Sequence, residues 1–272
     1  MRAASAVIRS PKLRGRIIRT LPARDERLDV TAHLDELRKR LISSLVVLTV
    51  GFGVAFAFHK RLVSALNEPL NGAQPVTLGV AEPFMTAVKL SVWAAFVVAF
   101  PVLAWNLWRY VAPSFDDGIR RAVATYVGFG TLLMFGGVAF GYFVALPSAI
   151  GFLTGFDSEL YDVQLRAQEY YTFAAAVLVS VGAVFQLPVV LLALVRFRIL
   201  TKERLRSNRR IAYVSLTALA VAMPGVDPVT TSMWLVPLGI MYEVSILLAG
   251  RVERRALRNA VEDPDDAVDA VA

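Results

Sequence analysis

The sequence predicts an all-α integral membrane protein with six transmembrane helices and both termini on the cytoplasmic side. Three observations carry that reading. Of the 272 residues, 56% are apolar and 19% charged, against roughly 45–50% and about 25% in soluble domains. The apolar residues gather into six runs, five of them near the length that crosses a bilayer. The Lys and Arg residues alternate between the connecting segments, 25 in one set and three in the other, with Lys89 inside a run. Basic segments are the cytoplasmic ones. The formal charge of +7 would suit a nucleic-acid binder, but such proteins carry their basic residues on a folded polar surface. Here they form short clusters between apolar runs, so no nucleic-acid partner is expected.

The elements follow in order. Residues 1–30 are basic and lack the short apolar run and small-residue cleavage site of a secretory signal peptide. They are expected to be a disordered cytoplasmic lead. Segment 31–41, TAHLDELRKRL, enters the first span at 41–58. Thr31 is placed to cap this helix. Leu34, Leu37 and Leu41 form one apolar stripe, and Glu36 and Arg40 are an i,i+4 pair. The segment reads either as an amphipathic anchor or, through Asp35 and Glu36, as an acidic spot that attracts a cationic peptide. In the connection 59–82, Pro69 and Pro83 mark ordered turns, and the apolar piece 62–66 suits an interfacial helix. The second span, 83–108, holds Lys89 near enough to its outer end to snorkel.

Asp116 and Asp117 precede Arg120 and Arg121, where the third span, 122–146, begins. The aspartate charge suits that helix N-terminus. The fourth span, 172–195, places Gln186 at mid-bilayer. An amide there needs hydrogen bonds, within the bundle or across helices, and Pro188 frees a carbonyl nearby. The fifth span, 211–223, has 13 residues and reaches ~20 Å against a hydrocarbon core of ~30 Å. A short span with local thinning is preferred to a core helix or re-entrant segment. The sixth, 232–250, carries Glu243, for which a structural pairing and a functional role both stand open. The tail 256–272 is acidic and expected to be disordered, leaving 31–255 as the membrane domain.

The chemistry excluded is broad. There is no cysteine and there are two histidines, His33 and His59. Neither a phosphate-binding GxxxxGK[ST] loop nor an HExxH pair occurs. No catalytic centre, cofactor or metal is expected. A solute or ion transporter would place several ionisable groups at the midplane of facing helices, whereas only Gln186 is central here.

HLDELRKRL ahead of the first span resembles the N-terminal signature of the TatC family, the polytopic receptor of twin-arginine protein translocation. His33, Leu34, Glu36, Leu37, Arg38, Arg40 and Leu41 match it. Glu68-Pro69-Leu70, Glu82-Pro83-Phe84, Lys89-Leu90, Pro101, Trp105, Ala112-Pro113 and Arg120-Arg121 follow in family order. Phe140, Tyr142-Phe143, Pro147, Phe185-Gln186-Leu187-Pro188, Pro224, Asp227 and Tyr242-Glu243 complete the series.

The resemblance implies a concave, glove-like bundle closed on the outer side by a rigid cap that includes Pro69, Glu82, Pro83, Phe84 and Asp227. It implies recognition of twin-arginine signal peptides and export of folded proteins, driven by the proton-motive force. Implied partners are the signal peptides, single-span subunits of the TatA and TatB type, the lipid bilayer, and further copies of the chain within a larger complex. Gln186, Pro188 and Glu243 are the implied docking points for the single-span partners.

Two departures from the family pattern bear on this. Relatives typically have Glu where Gln186 stands, which keeps donors and acceptors but removes the charge. Relatives usually carry Glu just before the paired basic residues, where this chain has Ile119. Glu36 with Asp117, or Asp116, is therefore expected to read the two arginines by charge-assisted forks, with Leu37, Arg120 and Arg121 alongside. The alternative for both aspartates is helix capping. The rival functions are a diverged paralogue without twin-arginine recognition and a small-solute transporter.

Overall fold

A computed structural model describes residues 25–70, 72–111, 117–160, 163–197, 199–224 and 228–262. Two units are distinguished, residues 1–39 and residues 40–272. Among the described residues the regular structure is helical, apart from one parallel bridge between Val76 and Arg166. The helices are α1 Asp25–Ala57, α2 His59–Asn67, α3 Glu82–Val111, α4 Asp117–Phe140, α5 Leu146–Gly155, α6 Ala167–Val184, α7 Leu187–Arg196, α8 Lys202–Ser207, α9 Arg209–Val221 and α10 Pro228–Glu262. A 3₁₀ turn, Glu68–Leu70, follows α2, and a π-helical turn, Gly141–Ala145, joins α4 to α5.

Five helical stretches are long and apolar enough to cross a membrane: Leu34–Ala57, Glu82–Tyr110, Val123–Gly155, Ala167–Arg196 and Val229–Arg251. They coincide with the first, second, third, fourth and sixth expected spans. The expected fifth lies in α9, a helix of 13 residues and ~20 Å. The expected interfacial piece 62–66 lies in α2. The expected tail boundary at 256 falls inside α10, which runs to Glu262.

Two spans differ from a plain helix for a physical reason. Sequence reading ends the third span at 146, before Pro147, yet the helix continues to Gly155. Pro147 has no N–H and its ring crowds the carbonyl four residues back. The π turn immediately before it widens the coil and absorbs that misfit. In the fourth span Pro188 sits in the first turn of α7, and the helix breaks at Phe185 and Gln186.

The core forms where α6 packs on α3 and α4, and where α7 packs on α10. Met134, Leu146, Val177, Val181 and Leu238 are almost fully enclosed. Lipid tails are as apolar as these side chains, so close packing rather than water exclusion drives helix association. The α4–α6 crossing shows how. A Cβ on Gly137 would lie 2.9 Å from Gly182 Cα and 3.0 Å from Phe185 Cβ, and one on Gly182 would lie 2.7 Å from Met134 Sδ. Two glycines thus let the backbones touch. On the neighbouring α3, Asn106 is buried and donates from Nδ2 to Ser44 Oγ of α1 at 3.1 Å.

Replacing Gly182 or Gly137 by leucine is expected to force the α4–α6 crossing apart, since overpacking costs about 1–3 kcal/mol even in cores that can adjust. Gly136, where an added Cβ meets nothing within 4 Å, is the control. Thermal unfolding in detergent, followed by size-exclusion fluorescence, checks this: G137L and G182L lower the midpoint and G136L leaves it unchanged.

Candidate functional site

The connections between α2 and α3 and between α5 and α6 meet at one carboxylate. Glu82 opens α3 and is 4% exposed. Its Oε2 accepts the N–H groups of Leu78 (3.0 Å) and Gly79 (3.2 Å), closing the turn ahead of α3. Its Oε1 accepts the N–H of Gln168 (3.1 Å), an otherwise orphaned donor in the first turn of α6. Arg166 adds its guanidinium, Nε to Oε1 at 3.2 Å and Nη2 to Oε2 at 3.5 Å. Glu82 in turn raises the Arg166 pKa above its ordinary value, chiefly through that hydrogen bond. The bridge fixes the same junction through the backbone: Val76 N–H donates to Leu165 O, and Ala167 N–H donates to Val76 O, both at 2.8 Å.

Three tyrosines hold the end of α2. The last carbonyls of a helix lack partners within it. The Tyr170 hydroxyl donates to Leu66 O, and the Tyr171 hydroxyl to Asn67 Oδ1 at 2.7 Å. The Tyr142 hydroxyl lies 2.8 Å from both Ala65 O and Glu68 Oε2, two acceptors sharing one proton. Pro69 lies in the 3₁₀ turn and borders a cavity of about 560 Å³ between this turn, α5 and residues 163–165. Pro83 and Phe84 start α3, where Phe84 is exposed and meets Phe56 edge-on at 6.3 Å. Asp227 lies outside the described residues.

Mid-span, Gln186 is half-buried. Its own N–H turns to Ala183 O (3.0 Å) because the helix breaks there. Its Nε2 donates instead to Gly182 O (3.4 Å) and across to Gly130 O of α4 (3.1 Å). The side chain thus supplies the carbonyl that the break leaves short of a donor, and it bridges two helices. Pro188 is buried in the first turn of α7.

Glu243 of α10 accepts from Arg209 Nη2 at 2.6 Å and from the Tyr213 hydroxyl at 2.9 Å, both on α9. The Tyr242 hydroxyl donates to Leu205 O at 2.8 Å. Adjacent residues of α10 therefore hold α8 and α9.

Of the expected peptide-reading residues, Glu36 and Leu37 belong to the N-terminal unit, where Glu36 is half-buried and Leu37 exposed. Asp117 is the first residue of α4, followed by Arg120 and Arg121. Asp116 lies outside the described residues. Among the described residues no group of three or more His, Cys, Asp or Glu is placed to hold a metal.

Arg166, Tyr170 and Tyr171 escaped the sequence reading, and Tyr142 entered it only as a family match without a partner. One signal was present: Arg166 is the sole basic residue of 147–171, in the set of connections that carries only three, and a lone cation there invites a search for its anion.

The profile of the family described as Sec-independent protein translocase protein (TatC) matches residues 32–237. The TatC of Desulforapulum autotrophicum is 34% identical over 228 residues, covering 82% of this chain and 84% of that one. The TatC of Aquifex aeolicus is 32% identical over 234 residues, covering 84% and 97%. A crystal structure of the twin-arginine translocase receptor TatC in detergent superposes with a TM-score of 0.72 at 32% identity, covering 80% of this chain and 99% of that one.

Removing the Glu82 side chain with alanine leaves three backbone donors and a guanidinium without their acceptor. E82A is expected to lower the unfolding midpoint most, E82Q less, and R166Q least because Arg166 is 40% exposed and partly served by water. Y170F removes one buried hydrogen bond and is expected to cost about 1–2 kcal/mol. Thermal scans of the purified variants test the ranking, and equal midpoints for E82A and R166Q would contradict it.

Proposed function

The chain belongs to the TatC family of Sec-independent protein translocase proteins, and from that premise we propose that it is the receptor that reads twin-arginine signal peptides. The observation that carries this most is the match of fold and sequence together, over four-fifths of the chain, to the twin-arginine translocase receptor. The protein is a multi-span membrane protein of a transport family. In the proposed arrangement it has six spans, with α9 as the short fifth, and both termini in the cytoplasm, as the 25-to-3 division of basic residues requires. Residues 31–255 form the membrane domain, with a lead before it and an acidic tail after it.

Recognition rather than catalysis is the proposed mode of action. Glu36 with Asp117, or Asp116, accepts the two guanidinium groups, Leu37 contacts the apolar part of the peptide, and Arg120 and Arg121 hold the carboxylates in place. A carboxylate takes an arginine by two parallel hydrogen bonds, which gives both geometry and energy. The cap built on Glu82 keeps the opposite side rigid. Single-span subunits of the TatA and TatB type dock along the fourth and fifth spans, near Gln186, Pro188 and Glu243, and the proton-motive force drives transport. Gln186 has no charge to gain or lose, so its part in docking is hydrogen bonding alone, worth at most ~1–2 kcal/mol per interhelical amide.

A second reading, a paralogue that keeps the fold without twin-arginine recognition, has Ile119 in its favour. Complementation separates the two. In a strain lacking its own receptor, the wild-type chain with its cognate partners is expected to export a folded reporter carrying a twin-arginine leader, and to fail when both leader arginines are changed to lysine. The double variant E36A/D117A is expected to lose export while remaining in the membrane at normal abundance. Export by that variant at the wild-type rate would remove these residues from the site. Equal export of the twin-lysine leader would favour the paralogue.

A further inference from the structure

Where α8 and α9 meet α10, arginines stand beside three of the contacts. Leu205, whose carbonyl receives the Tyr242 hydroxyl, lies between Arg204 and Arg206. Arg209, held by Glu243, is followed by Arg210. The Lys202 side chain lies across Gly250, where an added Cβ would stand 3.2 Å from Nζ, and Arg251 comes next, with Arg254 one turn on. Arg204, Arg206, Arg210, Arg251 and Arg254 are all exposed, and none makes an ion pair among the described residues. Of the acids whose side chains are described here, Glu243 is engaged by Arg209 and Tyr213, and Glu203 on α8 is exposed.

Away from the arginines the same faces turn apolar. On α10, Arg251 and Arg254 continue a stripe of exposed Val236, Ile240 and Leu247, spaced by four and seven residues. On α9, Arg210 heads a stripe through Val214, 71% exposed, to Val221. A basic end and an apolar stripe on each of two touching helices match the shape of one molecule class: a phosphate headgroup with acyl chains. The exposed cations are all arginine, whose planar fork suits phosphate oxygens better than an ammonium does. A free anion would find no use for the stripes.

We propose that the α8–α9–α10 junction is a binding site for an anionic phospholipid, with Arg204, Arg206, Arg210, Arg251 and Arg254 around the phosphate and the apolar faces of α9 and α10 along the chains. The occupied site fastens α9, which among the described residues packs chiefly on α10 and α8, to the bilayer surface. This inference needs the membrane fold alone and stands apart from twin-arginine recognition.

The test uses the full chain in nanodiscs of phosphatidylcholine with phosphatidylglycerol as the minority lipid, released into native mass spectrometry to count retained lipids. Wild type is expected to retain phosphatidylglycerol in preference to phosphatidylcholine. The double variant R251Q/R254Q is expected to lose about 25-fold of that preference, at about fivefold per arginine near a phosphate. The control K60Q/R61Q, at the far end of α1 in α2, is expected to keep it. No preference in wild type, equal loss in both variants, or displacement of phosphatidylglycerol by inorganic phosphate would overturn the proposal.

Discussion

A single buried carboxylate organises one side of this protein. Glu82 accepts from two N–H groups of the turn before α3, from the first turn of α6, and from Arg166. A carboxylate removed from water is unfavourable unless its lone pairs are met, and here four donors from two connections meet them. That requirement forces residues 76–82 and 163–168 together. The Val76–Arg166 bridge then forms between segments already in register. With α6 placed, Tyr170 and Tyr171 reach the end of α2, and Tyr142 reaches it from the π turn. Helix α2, nine residues long, is too short to be stable alone. It is held because its terminal carbonyls have partners.

Inside the body the governing rule is that every backbone group needs a partner where no water reaches. Two irregularities are met locally. Pro147 is absorbed by a π turn. The break before Pro188 is repaired by Gln186, whose amide serves Gly182 O and reaches Gly130 O on α4. That reach works because Gly137 and Gly182 bring α4 and α6 into contact. Gln186 and the glycine crossing are thus one device: close packing shortens the distance, and the amide fastens it. Glu243 does the corresponding work for α9, whose 13 residues gain a charged and a phenolic contact with α10.

Much of this was legible in the sequence, and the boundary is physical. Apolar runs and basic flanks are local properties, so five spans and the short 211–223 helix stood out. The needs of Gln186 and Glu243 were also legible, because a polar group in an apolar run announces that it requires a partner. Which partner was not. Glu82 and Arg166 are 84 positions apart, and Gln186 and Gly130 are 56 apart, and no periodicity links them. The third span ran past Pro147 because a π turn, invisible to pattern reading, accommodates the ring. Glu36 was singled out by its charge against a basic background, Leu37 by the motif it shares with the family, and Asp117 by its place ahead of Arg120 and Arg121 at the start of α4.

The functional account joins a rigid scaffold to a small set of carboxylates on the basic side. With so many cations there, a carboxylate that binds an incoming arginine pair must do so by geometry, since the net field repels a cationic peptide. The claim that Glu36 lies at that contact can be tested directly. A photoreactive residue placed at position 36, in membranes where this chain is the sole receptor, should crosslink a twin-arginine signal peptide and lose the product when both arginines become lysine. Equal crosslinking of the two peptides, or none to either in a chain that still supports export, would contradict the account.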